Sequence, residues 1–268
     1  MPSIAVELVS AGDPRPVQIV LSGVPSGAGY KVVGATSDGR TWPVPGGEGT
    51  STGDQVVLVD NRAALNTPVT YSALVSGLTY MVQLPEPIHH VDGHVLQSLD
   101  GRAVVAFKWD DDGMPRELSM ASVAFPVPGR RRPPGRFVPG GDGGGSMTIK
   151  TAPAQTRALT EMLLTGRPLV LRTDGQVRDL DPVEIILPQR VSNALFEGDV
   201  EGDGVWSWRT WSIEYLLVDD PEPGTALAAF TWADFDTAMT GRTWADFDAL
   251  FAGSTWDDFD TYDWGQLA

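Results

Sequence analysis

The last forty residues carry one motif three times at a fixed period of twelve: Thr231-Trp232-Ala233-Asp234-Phe235-Asp236, Thr243-Trp244-Ala245-Asp246-Phe247-Asp248 and Thr255-Trp256-Asp257-Asp258-Phe259-Asp260. A continuous helix advances about 100° per residue, so twelve residues would set successive Trp about 120° apart, and no one face could hold all three. Broken units satisfy the period. Each Thr stands three residues before an Asp, the capping-box spacing in its Asp form, which makes Thr231, Thr243 and Thr255 the expected N-caps. Trp and Phe fall three apart, on one face of a helical turn. Met239 and Phe251 follow seven residues after their Trp, and Gly241 and Gly253 supply the stops. Three short amphipathic helices are expected. The third unit departs from the pattern, with Asp263 in place of Met239 and Phe251 and with Tyr262 and Trp264 nearby, as a terminal repeat does.

Helices of about eight residues are marginal alone in water, and each of these exposes a Trp and a Phe, so they must dock. They either fold back on the chain's own domains or dock on neighbouring subunits. The strict period favours the second, because a core extension does not need it. On that reading the partner-binding residues are Trp232, Phe235, Trp244, Phe247, Trp256, Phe259 and Trp264. Calcium binding by the Asp residues is a weaker alternative: they are explained as caps and as first-turn charges that complement the helix dipole, and the spacing of calcium loops is absent.

The tail is also where the charge sits. The whole chain of 268 residues carries -16, and residues 219–268 hold eleven acids against the single Arg242, so they contribute -10 and leave -6 for the first 218. This excludes a general nucleic-acid footprint, which is basic, and predicts an electropositive partner groove. With 42% hydrophobic and 20% charged residues, the chain has material for one or two sizeable cores, and two domains plus a tail is the expected organisation. Cysteine is absent, so neither disulfides nor a thiolate metal site contributes. The start, Met1 to Glu7, lacks a basic region leading into an apolar run, and no later stretch approaches 18 apolar residues, so neither a cleaved signal nor membrane insertion is expected. Synthesis in a cytoplasm follows, and incorporation in a particle could still carry the protein outside a cell.

A mainly β fold is expected. Residues 1–85 show short apolar runs, Ile4 to Val9, Val17 to Leu21, Tyr30 to Val33, Gln55 to Val59, Val69 to Val75 and Leu78 to Val82, between turn signals such as Pro25-Ser26-Gly27, Ser37-Asp38-Gly39 and Pro45-Gly46-Gly47. That density predicts a small immunoglobulin- or fibronectin-like β-sandwich. Pro85-Glu86-Pro87 reads as a stiff linker into a second domain, residues 86–221. Strands are expected there at Val104 to Trp109 and Leu118 to Val127, joined by the turn Asp110-Asp111-Asp112-Gly113, then a loop from Pro128 to Gly145. A strand at Ser146 to Lys150 leads into a helix near 153–165, with Pro153 near its start, Ala158, Leu159, Met162 and Leu163 on its apolar face and Gly166 at its end. Strands at Leu169 to Arg172, Val183 to Leu187 and Trp206 to Val218 complete a β-barrel-like domain with one packed helix, and residues 222–268 form the acidic aromatic repeat tail.

Taken together, the small β domain, the run from Ser146-Met147-Thr148-Ile149 to Pro168-Leu169-Val170-Leu171, the closing segment Trp211 to Pro221 and the terminal repeats resemble the minor tail proteins of long-tailed bacteriophages that infect actinobacteria. The middle domain is similar to the ring-forming domain of distal tail proteins. The resemblance implies a structural, non-enzymatic component of a virion tail tip. It also implies that other phage tail proteins are the partners, with the chain in a homo-oligomeric ring or as peripheral copies on one. It brings no catalytic residues and no cofactor.

Other constellations carry less. All three histidines, His89, His90 and His94, lie in one run, and a hairpin across Asp92-Gly93 could bring His90 and His94 together with Asp92 as a metal site, but a solvated turn is the simpler reading, and no metal site is assigned. Arg130, Arg131 and Arg132, with Arg136, form the chain's one basic block; the block either meets phosphate or the acidic tail of a neighbouring subunit, or is a solvated loop. The acids at Asp110 to Asp112, Glu197 with Asp199 and Glu201 with Asp203 sit in glycine-containing turns and suggest no hydrolase pair, and no nucleophile elbow is present. Trp206 and Trp208 on one strand face and Trp211 on the other suit core packing better than sugar stacking. The competing function is a carbohydrate-binding adhesin of the tail tip acting through the N-terminal sandwich and Trp42.

Overall fold

The computed structural model describes all residues except 1, 11, 111–114, 120–122, 126–127, 129–130, 133–134, 137–140, 176–179, 196–207, 222, 226–231, 256–258, 260–261 and 265–268. The fold is mainly β: 49% of the described residues are strand and 12% helix. Two compact units form, one from residues 1–94, 172–183 and 220–268, the other from residues 95–171 and 184–219.

In the first unit, β1 (Ser3–Leu8), β2 (Val17–Ser22) and β5 (Gln55–Asp60) form a three-stranded antiparallel sheet in the order β1-β2-β5. The strands β3 (Gly29–Thr36), β4 (Thr41–Thr50), β6 (Val69–Val75) and β7 (Leu78–Gln83) form a second in the order β4-β3-β6-β7. The alternation of β6 decides its orientation: Val69, Tyr71, Ala73 and Val75 are buried while Thr70, Ser72 and Leu74 face outward. Val17, Ile19, Leu21, Val32, Trp42, Val44 and Leu58 complete the unit's core.

The sequence reading missed β4, because Pro43, Pro45, Gly46 and Gly47 look like turn residues. The strand lies at the edge of its sheet, where a missing N–H is tolerated, and its register with β3 shifts between Lys31 and Val33. Glycine is required at position 47, since a Cβ there would lie 2.7 Å from the Val44 carbonyl oxygen and 2.8 Å from that of Val32. The Pro85 to Pro87 segment belongs to this same unit. Just beyond it Ile88 is buried and bridges Leu65, and Asn66 holds the turn by donating to the His90 carbonyl at 2.7 Å and accepting from the His90 amide at 3.0 Å.

Most of the remaining strands join one eight-stranded sheet: β8 (His94–Ser98), β9 (Val104–Ala106), β10 (Lys108–Trp109), β11 (Arg116–Ser119), β14 (Gly141–Thr151), β15 (Leu169–Thr173), β16 (Val183–Leu195) and β17 (Arg209–Leu217). Its order is β10-β14-β17-β16-β15-β8-β9, with β11 also on β14, and the unit boundaries fall within β8, β15 and β16. A separate pair, β12 (Val123–Ala124) and β13 (Gly135–Arg136), replaces the single strand expected from Leu118 to Val127. The helix α1 (Pro153–Leu164) forms as expected, with Pro153 in its first turn, Leu159 and Met162 buried, and Gly166 at φ 66° just past its end.

The glycine run 141–145, expected as loop, is strand. It pairs Gly144 with Leu216 and Gly145 with Tyr215, and a Cβ on Gly144 would lie 2.2 Å from the Tyr215 carbonyl oxygen. Only a residue without a side chain admits this approach, so glycine here marks close strand packing. On β17 the buried residues are Trp211, Ile213 and Tyr215, alternating with exposed Ser212, Glu214 and Leu216.

Candidate functional site

The terminal repeats fold as separate short helices. α2 (Trp232–Ala238) and α3 (Trp244–Leu250) span seven residues each, and Phe259 stands in a further helical turn. Thr243 caps α3 with a full capping box: its hydroxyl accepts from the Asp246 amide at 3.3 Å while its own amide donates to the Asp246 carboxylate at 2.7 Å. The Thr243 amide, and second its hydroxyl, which donates to the same carboxylate at 2.8 Å, hold the Asp246 carboxyl below the ordinary aspartate pKa. Thr231 and Trp256 lie outside the described residues.

Backbone hydrogen bonds repeat with the sequence. The Met239 amide donates to Phe235 as Phe251 does to Phe247, and Arg242 donates to Met239 as Ser254 does to Phe251, each of the latter two at 2.9 Å. Gly241 and Gly253 adopt φ 78° and 85°, the left-handed conformation that ends each unit.

The two aromatic positions of the repeat have opposite fates. Phe235, Phe247 and Phe259 converge, with ring centroids 6.1, 5.9 and 6.4 Å apart pairwise, an almost equilateral triangle. Trp264 covers it at 4.9 Å from Phe235 and 5.5 Å from Phe259 and is itself buried, and Phe251 and Tyr262 extend the cluster. Trp232 and Trp244 remain 74% and 72% exposed. Each stands edge-on to the Phe of its own unit at 5.6 Å, with interplanar angles of 82° and 77°. The two tryptophans are thus presented in the same local geometry.

The sequence reading grouped Trp and Phe as one apolar face seeking a partner. The helices instead satisfy one another through Phe, because three units related by turns bring the same position to a common centre. Of the expected partner-binding rings, Phe235, Phe247, Phe259 and Trp264 serve that centre. Asp263 anchors the module's end by accepting from the Ser10 amide at 2.8 Å.

Other expected sites are placed as follows. Arg131, Arg132 and Arg136 are exposed, and Arg130 lies outside the described residues. His90 and His94 are buried while His89 is exposed, and among the described residues no group of three or more His, Asp or Glu is placed to hold a metal. The acids at 197–203 and Trp206 lie outside the described residues. Trp211 is buried and donates to the Thr151 hydroxyl at 2.8 Å, while Trp208 lies 5.4 Å from the Lys108 ammonium. Trp42 is 2% exposed, so its ring offers no face to a sugar.

Trp42 belongs to a buried polar cluster that the sequence did not reveal. The Asp60 carboxylate accepts from Trp42 Nε1 at 2.8 Å, from the Tyr71 hydroxyl at 2.9 Å and from the Arg62 amide at 2.8 Å. Arg172 stands close enough for its charge to be felt by the cluster, and its guanidinium donates to the Ala63 carbonyl at 2.8 and 3.0 Å. Burial, reinforced by the Asp60 charge, pushes the Tyr71 hydroxyl well above its ordinary pKa; burial also lowers Arg172 to about 10 against the opposing pull of Asp60 and Tyr71. With Arg62 paired to Asp220, the cluster fastens residues 172 and 220 to the first unit's strands. Its groups are buried, and Asp60 is the shared acceptor that ties Trp42, Tyr71 and the Arg62 amide together.

No known protein family matches this chain, and no curated protein is significantly similar to it. Among the described residues no helix is long and apolar enough to cross a membrane.

Proposed function

We propose that this protein is a structural, non-enzymatic component of a bacteriophage tail tip, docked to neighbouring tail proteins by the tryptophans of its terminal repeats. The observation that carries the reading is the separation of roles within each repeat. Phe235, Phe247 and Phe259 hold the module together, so the exposure of Trp232 and Trp244 is not needed for its fold. Large exposed rings set in one repeated geometry are what a protein partner buries, and tryptophan is enriched among the residues that dominate interfaces. The acidic surroundings, -10 over residues 219–268, favour a receiving surface of apolar pockets with a basic rim. The exposed Arg131, Arg132 and Arg136 of another copy would supply such a rim in a ring. The mainly β fold and the likeness of the repeats to those of actinobacterial phage minor tail proteins support the virion assignment.

The test is the triple variant Trp232→Ala, Trp244→Ala, Trp256→Ala in particle assembly. The variant chain should fold and yet be missing from purified particles. Its normal incorporation would remove the reading.

A further inference from the structure

Each exposed tryptophan of the terminal module has a carboxylate four residues on. At about 100° per residue, the fourth position lies about 40° to one side of the tryptophan and the third about 60° to the other. In α2 and α3 the third position is Phe235 or Phe247, which turns into the aromatic centre, and the fourth is Asp236 or Asp248, which is exposed. The neighbouring Asp246 is engaged as the partner of Thr243. Asp236 and Asp248 are not: among the described residues neither side chain accepts a hydrogen bond or joins an ion pair. The sequence repeats the pair a third time as Trp256 and Asp260. An indole face beside an open carboxylate is a receptor for a guanidinium, which stacks on the ring while its N–H groups meet the acid.

The complementary group is exposed on the same chain. Arg131, Arg132 and Arg136 all face solvent, and among the described residues none of them has an ion-pair or hydrogen-bond partner. They belong to the segment around the β12 and β13 pair, which joins no other sheet and has only two residues in each strand. So short a ribbon is marginal on its own. Phe125 beside it is 51% exposed. From residue 130 to residue 136 the sequence is four Arg, two Pro and one Gly, with no acid to neutralise the arginines locally.

We propose that the Trp and Asp pairs of one copy's repeats receive the arginines of this arm from a second copy. The proposal rests on the docking role given to the tryptophans above and names their occupant. Receiver and arm are different surfaces of one chain, so the contact is head-to-tail. A pair of copies so joined keeps one open receiver and one open arm, and assembly continues to a ring or a filament instead of stopping at a twofold dimer. Opposite charges across the contact make it sensitive to salt.

Sedimentation velocity of the full chain tests it. The parent should form species larger than a dimer at about 100 µM in about 50 mM salt and return to monomer in about 0.5 M salt. Trp232→Ala with Trp244→Ala and Trp256→Ala removes the receiver, and Arg131→Glu with Arg132→Glu and Arg136→Glu reverses the arm. Each variant should be monomeric alone and melt like the parent. Their equimolar mixture should give a one-to-one dimer and nothing larger, because each chain then brings one half of the contact. Adding Asp236→Asn and Asp248→Asn to the arm variant keeps the rings and should weaken that dimer about tenfold, the effect of two exposed ion pairs. A monomeric parent, an arm variant that associates like the parent, a mixture that stays monomeric, or a dimer indifferent to the two Asn substitutions overturns the proposal. Particle assembly separates its failure from that of the tail-tip reading. Normal incorporation of the arm variant while the tryptophan variant is missing removes this occupant and leaves the reading standing; normal incorporation of the tryptophan variant removes both.

Discussion

Phe247 and Trp244 sit three residues apart in the same repeat, and the structure gives them opposite jobs, which substitution should separate. Phe247 contacts four rings, Phe235 at 6.1 Å, Trp244 at 5.6 Å, Phe251 at 5.0 Å and Phe259 at 5.9 Å. Truncating a fully buried Phe costs about 3–5 kcal/mol; Phe247 is half-buried, so about 2 kcal/mol is expected for Phe247→Ala. Four aromatic pairs at the low end of about 0.5 kcal/mol each give the same figure. Seven-residue helices have no independent stability to absorb the loss, so opening of the module should become about thirtyfold more frequent. Trp244→Ala loses one edge-on contact from an exposed side chain and should raise opening only about twofold. Amide hydrogen exchange read by mass spectrometry resolves both, because the Met239 and Phe251 amides are bonded to Phe235 and Phe247 within the module. Unchanged protection in Phe247→Ala, or wholesale loss in Trp244→Ala, would refute the division of roles.

Two further outcomes follow from the same geometry. Asp60→Ala leaves the Trp42, Tyr71 and Arg62 donors without their acceptor and Arg172 without the nearby negative charge, so the first unit should lose about 3–5 kcal/mol. Calorimetry should show its melting temperature lower by about 10 °C or more; a change under about 2 °C would show that the cluster is not the framework described. The Asp246 carboxyl is held below its ordinary pKa by Thr243, so its cap is fully present above the unfolded value near about 4 and is lost as pH falls through the lower folded value. Exchange in residues 243–251 should therefore quicken below about pH 4 relative to the intrinsic rate, and Asp246→Asn should flatten that dependence.

What the sequence revealed was whatever one element decides locally. The twelve-residue period, the Thr243 cap and the stops at Gly241 and Gly253 are set within a helix and its ends, and α1 showed in Pro153, its Leu159 and Met162 face and Gly166. The alternation of Val69, Tyr71, Ala73 and Val75 likewise announced a strand. Features fixed by a neighbouring strand stayed hidden. Pro43, Pro45 and Gly47 are compatible with a strand only because β4 lies at an edge, and at Gly144, within the glycine-rich strand β14, β17 approaches too closely for a side chain. The same holds for the site. Chemistry alone makes Trp232 and Phe235 equivalent partners, and only the convergence of three units shows that Phe goes inward and Trp outward.

The central claim is that Trp232 and Trp244 are reserved for another chain. Cryo-electron microscopy of purified particles carrying this protein, with density traced through residues 225–268, tests it directly. The account predicts the Phe235, Phe247 and Phe259 triangle intact and both tryptophans buried in apolar pockets of a neighbouring protein beside basic side chains. Tryptophans that still face solvent in the assembled particle would contradict it.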